Sequence, residues 1–124
     1  MDFPEIQKTA STPSITFNSE TKTIHIVGES YPENSFEIYT PVLVWLKQMV
    51  QKMTELKVDM NVSYMNSSST KCILDLLDVL EEAFQAGKET SVRWLYDSEN
   101  PRSKEVADEF KEEFSLPFHI IPYE

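Results

Sequence analysis

Glycine is scarce: the 124 residues contain two, Gly28 and Gly87. No glycine-rich loop able to cradle a nucleotide phosphate can be assembled from them, which excludes P-loop and Rossmann-type turns. Cysteine is rarer still, with Cys72 alone, so no intramolecular disulfide can form. Only His25 and His119 accompany it, and a Cys/His zinc site therefore lacks ligands. Long apolar runs are missing too. The longest is Val42–Leu46, far short of the ~20 residues that cross a bilayer as a helix. The opening Met1-Asp2-Phe3-Pro4-Glu5 has neither the basic start nor the apolar stretch of a secretion signal. Positive charge is in deficit, with 11 Lys+Arg against 21 Asp+Glu and a net charge of −10. Such a surface repels phosphate backbones and anionic membranes. The expectation is a cytoplasmic protein with no nucleic-acid partner, no membrane insertion, no metal and no cofactor.

What is present suffices for one packed domain. Hydrophobic residues make up 40% and charged residues 26%, ordinary for a globular chain. Residues 1–13 are polar, with Pro4 and Pro13, and read as a flexible N-terminal arm ahead of a domain over residues 14–124. Ser14–Asn18 and Thr23–Val27 alternate apolar and polar residues and predict an opening β-hairpin. Gly28–Ser35 reads as a loop by its Pro, Asn and Ser content. Phe36, Tyr39, Leu43, Leu46, Met49, Val50 and Met53 keep the spacing of one apolar helix face. A helix tolerates Pro41 best in its first turn. The helix is therefore expected to start near Ser35 or a few residues later, its regular part at about Thr40 with Thr40 as N-cap.

Lys57–Met65 carries Val58, Met60, Val62 and Tyr64 at period two and predicts a third strand. A second helix is expected from about Ser68 to Ala86, stopped by Gly87, with Ile73, Leu76, Leu77, Leu80, Ala83 and Phe84 buried. Thr90–Tyr96 predicts a fourth strand, Arg102–Phe114 a helix opened by Pro101, and Phe118–Ile121 a last short strand. The order β-β-α-β-α-β-α-β implies an α/β fold, a mixed sheet of one hairpin followed by parallel strands, covered by about three helices.

The segment Tyr64-Met65-Asn66-Ser67-Ser68-Ser69-Thr70-Lys71 joins a strand to a helix. In open α/β sheets, ligand and partner sites gather beyond the carboxyl ends of the strands. Free N–H groups and the helix dipole at such a start favour a negative group. One cap needs one hydroxyl, and this turn supplies four. A phosphate here would meet donors already in place and add about −1.5 to −2 charge units.

The Asn-Ser-Ser-Ser turn before an amphipathic helix resembles the phosphoacceptor turn of STAS-type anti-sigma factor antagonists. With Gly28-Glu-Ser-Tyr-Pro-Glu-Asn-Ser35, Leu74-Asp-Leu-Leu-Asp-Val-Leu-Glu-Glu-Ala83 and Val92-Arg-Trp-Leu-Tyr-Asp97, the chain resembles the SiaC family of bacterial regulatory phosphoproteins. The resemblance spans nearly everything beyond the arm. It implies a STAS-like single domain and a non-catalytic partner switch. Its unphosphorylated form would bind and activate a diguanylate cyclase, with effects on cyclic-di-GMP and biofilm formation. A dedicated Ser/Thr kinase would add a phosphate, and a PP2C-like phosphatase would remove it. By position the acceptor is Ser67, directly after Asn66, with Ser68 as runner-up. The expected partner surface comprises Glu33, Asn34, Asn66, Ser68, Ser69, Lys71, Asp75 and Asp78. Asn66 stands where the older STAS pattern has Asp, and no Gly follows the serine pair. These departures bear on sigma-factor partners more than on the switch.

Other residues carry two readings each. Asp75, Asp78 and Glu82 form either a solvated helix face or a groove for a cation or basic partner. Glu33 and Asn34 either reach the Ser67 end of the sheet or lie in a loop closed on itself. Trp45 and Trp94 read as core, His25 and His119 as strand residues without ligand duty, and Cys72 as a packed thiol rather than one activated by the helix dipole. A hydrolase would need a base beside its serine, and no G-x-S-x-G elbow surrounds Ser67. The alternative to a switch is a small acidic adaptor with a fixed, phosphorylation-independent interface.

Overall fold

The computed structural model describes residues 2–124. Eight elements follow in the order β1 Ser14–Asn18, β2 Thr23–Ser30, α1 Ser35–Met49, β3 Glu55–Met65, α2 Ser67–Gln85, β4 Glu89–Asp97, α3 Pro101–Glu112 and β5 Phe118–Tyr123. The strands form one sheet in sequential order β1-β2-β3-β4-β5. β1 and β2 are antiparallel, and all later neighbours are parallel. Parallel neighbours joined through right-handed crossovers send every helix to the same side of a sequentially ordered sheet. The core therefore lies between one sheet face and three helices. The other face carries polar residues such as His25, Lys57, Arg93 and His119, partly or fully exposed.

The hairpin turn works without Asn-Gly. The Asn18 side-chain oxygen accepts from the N–H groups of Glu20 at 2.9 Å and Thr21 at 3.2 Å, and Lys22 takes the positive φ of +56°. Residues 2–13, expected as a loose arm, have defined contacts. Ile6 and Ile15 exchange backbone hydrogen bonds of 3.0 and 2.9 Å. The Phe3 ring stands edge-on to Trp45 at 4.8 Å and stacks on Phe17 at 5.7 Å.

The main departures from the sequence reading each have a local reason. Gly28, Glu29 and Ser30 belong to β2 rather than to a loop. Gly28 sits at φ +130°, where a Cβ would stand 3.2 Å from Pro13 Cα, and the pairing with β3 slips between Gly28 and Glu29. That slip skips Ser63 and turns Tyr64 outward, 56% exposed, instead of continuing the buried alternation. Second, α1 is regular from Ser35, the early end of the expected range, and not from Thr40. Asn34 is the cap, its side chain accepting from Glu37 N–H at 3.3 Å. Pro41 lies inside the helix with its ring exposed, so it removes one N–H donor without displacing core. Third, the buried stripe of α1 is Ser35, Tyr39, Val42, Trp45 and Leu46, while Phe36 is 52% exposed. At 100° per residue Phe36 lies at the edge of the stripe set by Tyr39, Val42 and Leu46, and it is exposed.

The second helix starts at Ser67, one residue earlier than expected, and Gly87 stops it as expected. At φ +96° its N–H donates to Phe84 O, and that of Lys88 to Ala83 O, both at 3.0 Å, a Schellman closure. Ile73, Leu77, Leu80, Val92 and Trp94 are 1% exposed or less. Each full burial of this kind stabilises by about 1.5–3 kcal/mol.

Candidate functional site: the serine turn at the head of the second helix

All three helices open with an asparagine cap, Asn34, Asn66 and Asn100, at the carboxyl end of the parallel strands. Asn66 does the most. Its Oδ1 accepts from Ser69 N–H at 2.9 Å, its Nδ2 donates to Pro32 O at 3.2 Å, and its own N–H donates to Ser30 O at 2.9 Å. The loop after β2 is thereby tied to the head of α2. Glu33 and Asn34 stand exposed at the same end as the serines.

The four hydroxyls of the turn have different surroundings. Ser69 is 0% exposed. Its Oγ accepts from Ser30 Oγ at 2.7 Å and lies 2.9 Å from Ser35 Oγ. Ser30 Oγ is 2.6 Å from Tyr39 Oη. Ser35 Oγ is 2.8 Å from Ser68 Oγ, which donates to Asn66 Oδ1 at 3.3 Å. Each hydroxyl has one proton to give, so the direction of the chain is forced. It runs from Tyr39 to Ser30, Ser69, Ser35, Ser68 and finally the Asn66 carbonyl. Burial pushes the Tyr39 phenol up to about 12, which keeps it a donor at the head of this chain. Thr70 Oγ1 donates to Asn66 O at 3.0 Å. Ser67 stands apart: it is exposed, and its hydroxyl has no hydrogen-bond partner among the described residues.

Aromatic side chains border this end. Tyr31 is 42% exposed and Tyr64 56%, and their rings meet edge to face at 6.0 Å. Phe36 follows Ser35 directly. Lys71, one turn after Ser67, pairs with Asp75 at 3.3 Å, both partly in solvent. Burial first, then the charges of Asp75 and Glu82, raises the Asp78 carboxyl. Burial and the Asp75 charge also raise the Cys72 thiol, which opposes activation by the helix dipole. His25, Asp59 and Arg93 lie on the opposite, open face of the sheet, away from the turn. No group of three His, Cys, Asp or Glu among the described residues could hold a metal ion. No helix among them is long and apolar enough to cross a membrane.

The serine turn is visible in the sequence, but Ser30, Ser35 and Tyr39, which hold it, are not. Nothing in their spacing joins them, because the sheet and the α1–α2 contact bring them together. The exposed aromatics are hidden in the same way. Phe36 and Tyr64 fall by spacing into or beside apolar stripes, and it is the packing of α1 and the β2–β3 slip that leave them exposed.

A one-sided α/β sheet with a serine turn heading a capped helix defines a STAS-like regulatory domain. Within that class, the chain belongs to the SiaC family of regulatory phosphoproteins, which it matches over residues 6–123. It is 41% identical over 116 residues to an uncharacterised protein of Pseudomonas aeruginosa strain UCBPP-PA14, covering 93% of this chain and 92% of that one. Its fold is similar to that of SiaC from Pseudomonas aeruginosa, solved in complex with the diguanylate cyclase SiaD that it activates. The TM-score is 0.92 at 40% identity, covering 96% of this chain and 98% of that one. Apo-SiaC gives a TM-score of 0.92 at 39% identity, covering 98% and 99%.

Proposed function

We propose that this chain is a non-catalytic, cytoplasmic partner switch whose unmodified form binds and activates a diguanylate cyclase, raising cyclic-di-GMP and so acting on biofilm formation. A Ser/Thr kinase phosphorylates Ser67, and a PP2C-like phosphatase reverses it. The observation that carries this reading is the Ser67 hydroxyl. It is exposed, it heads a helix, and it is the one hydroxyl of the turn not committed to a neighbour among the described residues. Ser68 is the weaker acceptor, because modifying it would break the chain of hydroxyls at its last link. Phosphate on Ser67 leaves that chain intact, so the switch works at the surface. It places a dianion at the end of the fold that also exposes Tyr31, Tyr64 and Phe36, a surface that a partner would have to dehydrate. Loss of ~1.4 kcal/mol lowers affinity tenfold, and burying an unmatched charge costs more than that.

The test is binding of a purified cognate cyclase to the unmodified and Ser67-phosphorylated protein, with cyclic-di-GMP production read in parallel. Tight binding and activation by the unmodified form alone is the expected result. Equal binding by both forms would leave a fixed acidic adaptor and reduce Ser67 to the first residue of a helix.

A further inference from the structure

The turn offers a kinase two adjacent hydroxyls, and the fold treats them differently. Ser67 is exposed, while Ser68 is half-buried. The Ser68 oxygen lies 2.8 Å from Ser35 Oγ and gives its proton to Asn66 Oδ1 at 3.3 Å. Ser35 is the first residue of α1 and is 0% exposed. It accepts from Ser69 at 2.9 Å, so its single proton goes to Ser68. The Ser68 hydroxyl is thus engaged from both sides, by a residue of α1 and by the cap of its own helix.

We infer that Ser35 is a positioning residue that confines phosphorylation to Ser67, holding the Ser68 hydroxyl out of the reaction and making the turn a single-site switch. This rests on the switch reading and gives it its site selectivity. In transfer from a nucleoside triphosphate, the serine oxygen forms a bond to the γ-phosphorus. The bond from that phosphorus to the β–γ bridging oxygen breaks, and the nucleoside diphosphate leaves. The hydroxyl proton passes to a base of the kinase. The acceptor oxygen must therefore come into line with the γ-phosphorus with its proton free to leave. Ser67 can do so without breaking a hydrogen bond among the described residues. Ser68 must first leave Ser35 and Asn66. A buried Ser35 O–H then stands without an acceptor, and an orphaned buried donor costs more than a made bond contributes. Thr70 is a reference within the same turn. Its Oγ1 donates to Asn66 O at 3.0 Å, a bond that does not pass through Ser35.

The experiment reads phosphate by site. Kinase activity is fractionated from the host with the full wild-type chain as substrate, and time courses with ATP are mapped by mass spectrometry. The wild type should take up one phosphate per chain on Ser67, with Ser68 at least tenfold slower. Ser35→Ala should raise the Ser68 rate at least tenfold and leave Thr70 unmodified. Ser67→Ala should stay nearly unmodified, and the S35A/S67A double variant should regain one phosphate, on Ser68. Tyr39→Phe cuts the hydroxyl chain at its head but keeps the Ser35–Ser68 contact, so its phosphate should stay on Ser67 alone. Amide NMR spectra check that each variant is folded. If Ser35→Ala does not fold, Ser35→Cys, close in size but a weak donor, replaces it with the same expectation. A Ser68 rate indifferent to loss of the Ser35 hydroxyl, equal rates at Ser67 and Ser68 in the wild type, or equal release of Ser68 by Tyr39→Phe would each overturn the inference. The switch reading fails differently. Phosphate confined to Ser67 through Ser35, with cyclase binding unchanged by it, would keep the inference and remove the switch. No phosphate on the wild type would overturn both.

Discussion

At the scale of single residues, neighbours in the serine turn have opposite duties. Ser67 is exposed and its hydroxyl is uncommitted among the described residues, so removing it should leave folding alone. Ser67→Ala is expected to change stability by no more than about 0.5 kcal/mol, as surface substitutions do, while incorporation of phosphate by the kinase disappears. Mass spectrometry and thermal melting of the same sample check both halves. Asn66 is the reverse case. It caps α2 through Ser69 N–H, ties the β2–α1 loop through Pro32 O, and ends the hydroxyl chain from Tyr39. Asn66→Ala should cost about 1–2 kcal/mol from the cap alone. It should also broaden the NMR signals of Ser68 and Ser69. A stable, sharp-signalled Asn66→Ala together with an unfolded Ser67→Ala would invert the assignment.

At the scale of elements, most of the fold is legible in the sequence because periodicity reports which face is buried. The period-two runs in β1, β3 and β4 and the 3–4 spacing in α2 mark the elements that carry the core. Two features escape because the cause is not local. The start of α1 depends on whether Asn34 or Thr40 caps it. The sequence favours Thr40 because Pro41 is unfavourable in a helix interior, yet the exposed ring and the Asn34 cap let the helix run through it. The outward turn of Tyr64 depends on the slip opposite Gly28, a property of two strands together. The site is half legible for the same reason. Four consecutive hydroxyls are visible as a motif, but Ser30, Ser35 and Tyr39 join them only through packing. Gly28 itself yields a prediction. Its φ is +130°, and a methyl group there would stand 3.2 Å from Pro13 Cα, so Gly28→Ala is both strained and crowded. It should lose at least about 1 kcal/mol, read as a lower urea midpoint. It should also loosen residues 8–13, read as faster amide exchange at Thr12. A midpoint equal to wild type would mean that the slip is not needed.

At the scale of the whole molecule, a chain of net charge −10 is stabilised or destabilised by where its carboxylates sit, and α2 holds one of each kind. Burial alone would raise the Glu81 carboxyl. Hydrogen bonds from the Ser115 hydroxyl, the Gln85 amide and the N–H groups of Leu116 and Ser115 outweigh it and hold the group at about 2, against an ordinary 4.5. Those bonds fasten the α3–β5 connection to α2. A carboxyl lowered on folding stabilises above its unfolded pKa and loses that contribution as pH falls toward its folded value. Glu81→Gln should therefore be less stable than wild type at neutral pH, with the gap closing between about pH 4.5 and 2. Asp78 has the opposite sign: burial and the charges of Asp75 and Glu82 raise its carboxyl, so its ionisation works against the fold as pH rises. Asp78→Asn should be more stable than wild type at neutral pH, with the gap closing as the solution is acidified. Denaturant midpoints across that pH range, measured for both variants and for wild type, give two curves of opposite sign. Two parallel curves would mean that net charge alone governs acid stability here. Opposite curves would place Glu81 as the clasp between α2 and the α3–β5 connection. They would also leave Asp78 as a charge kept at a cost to stability.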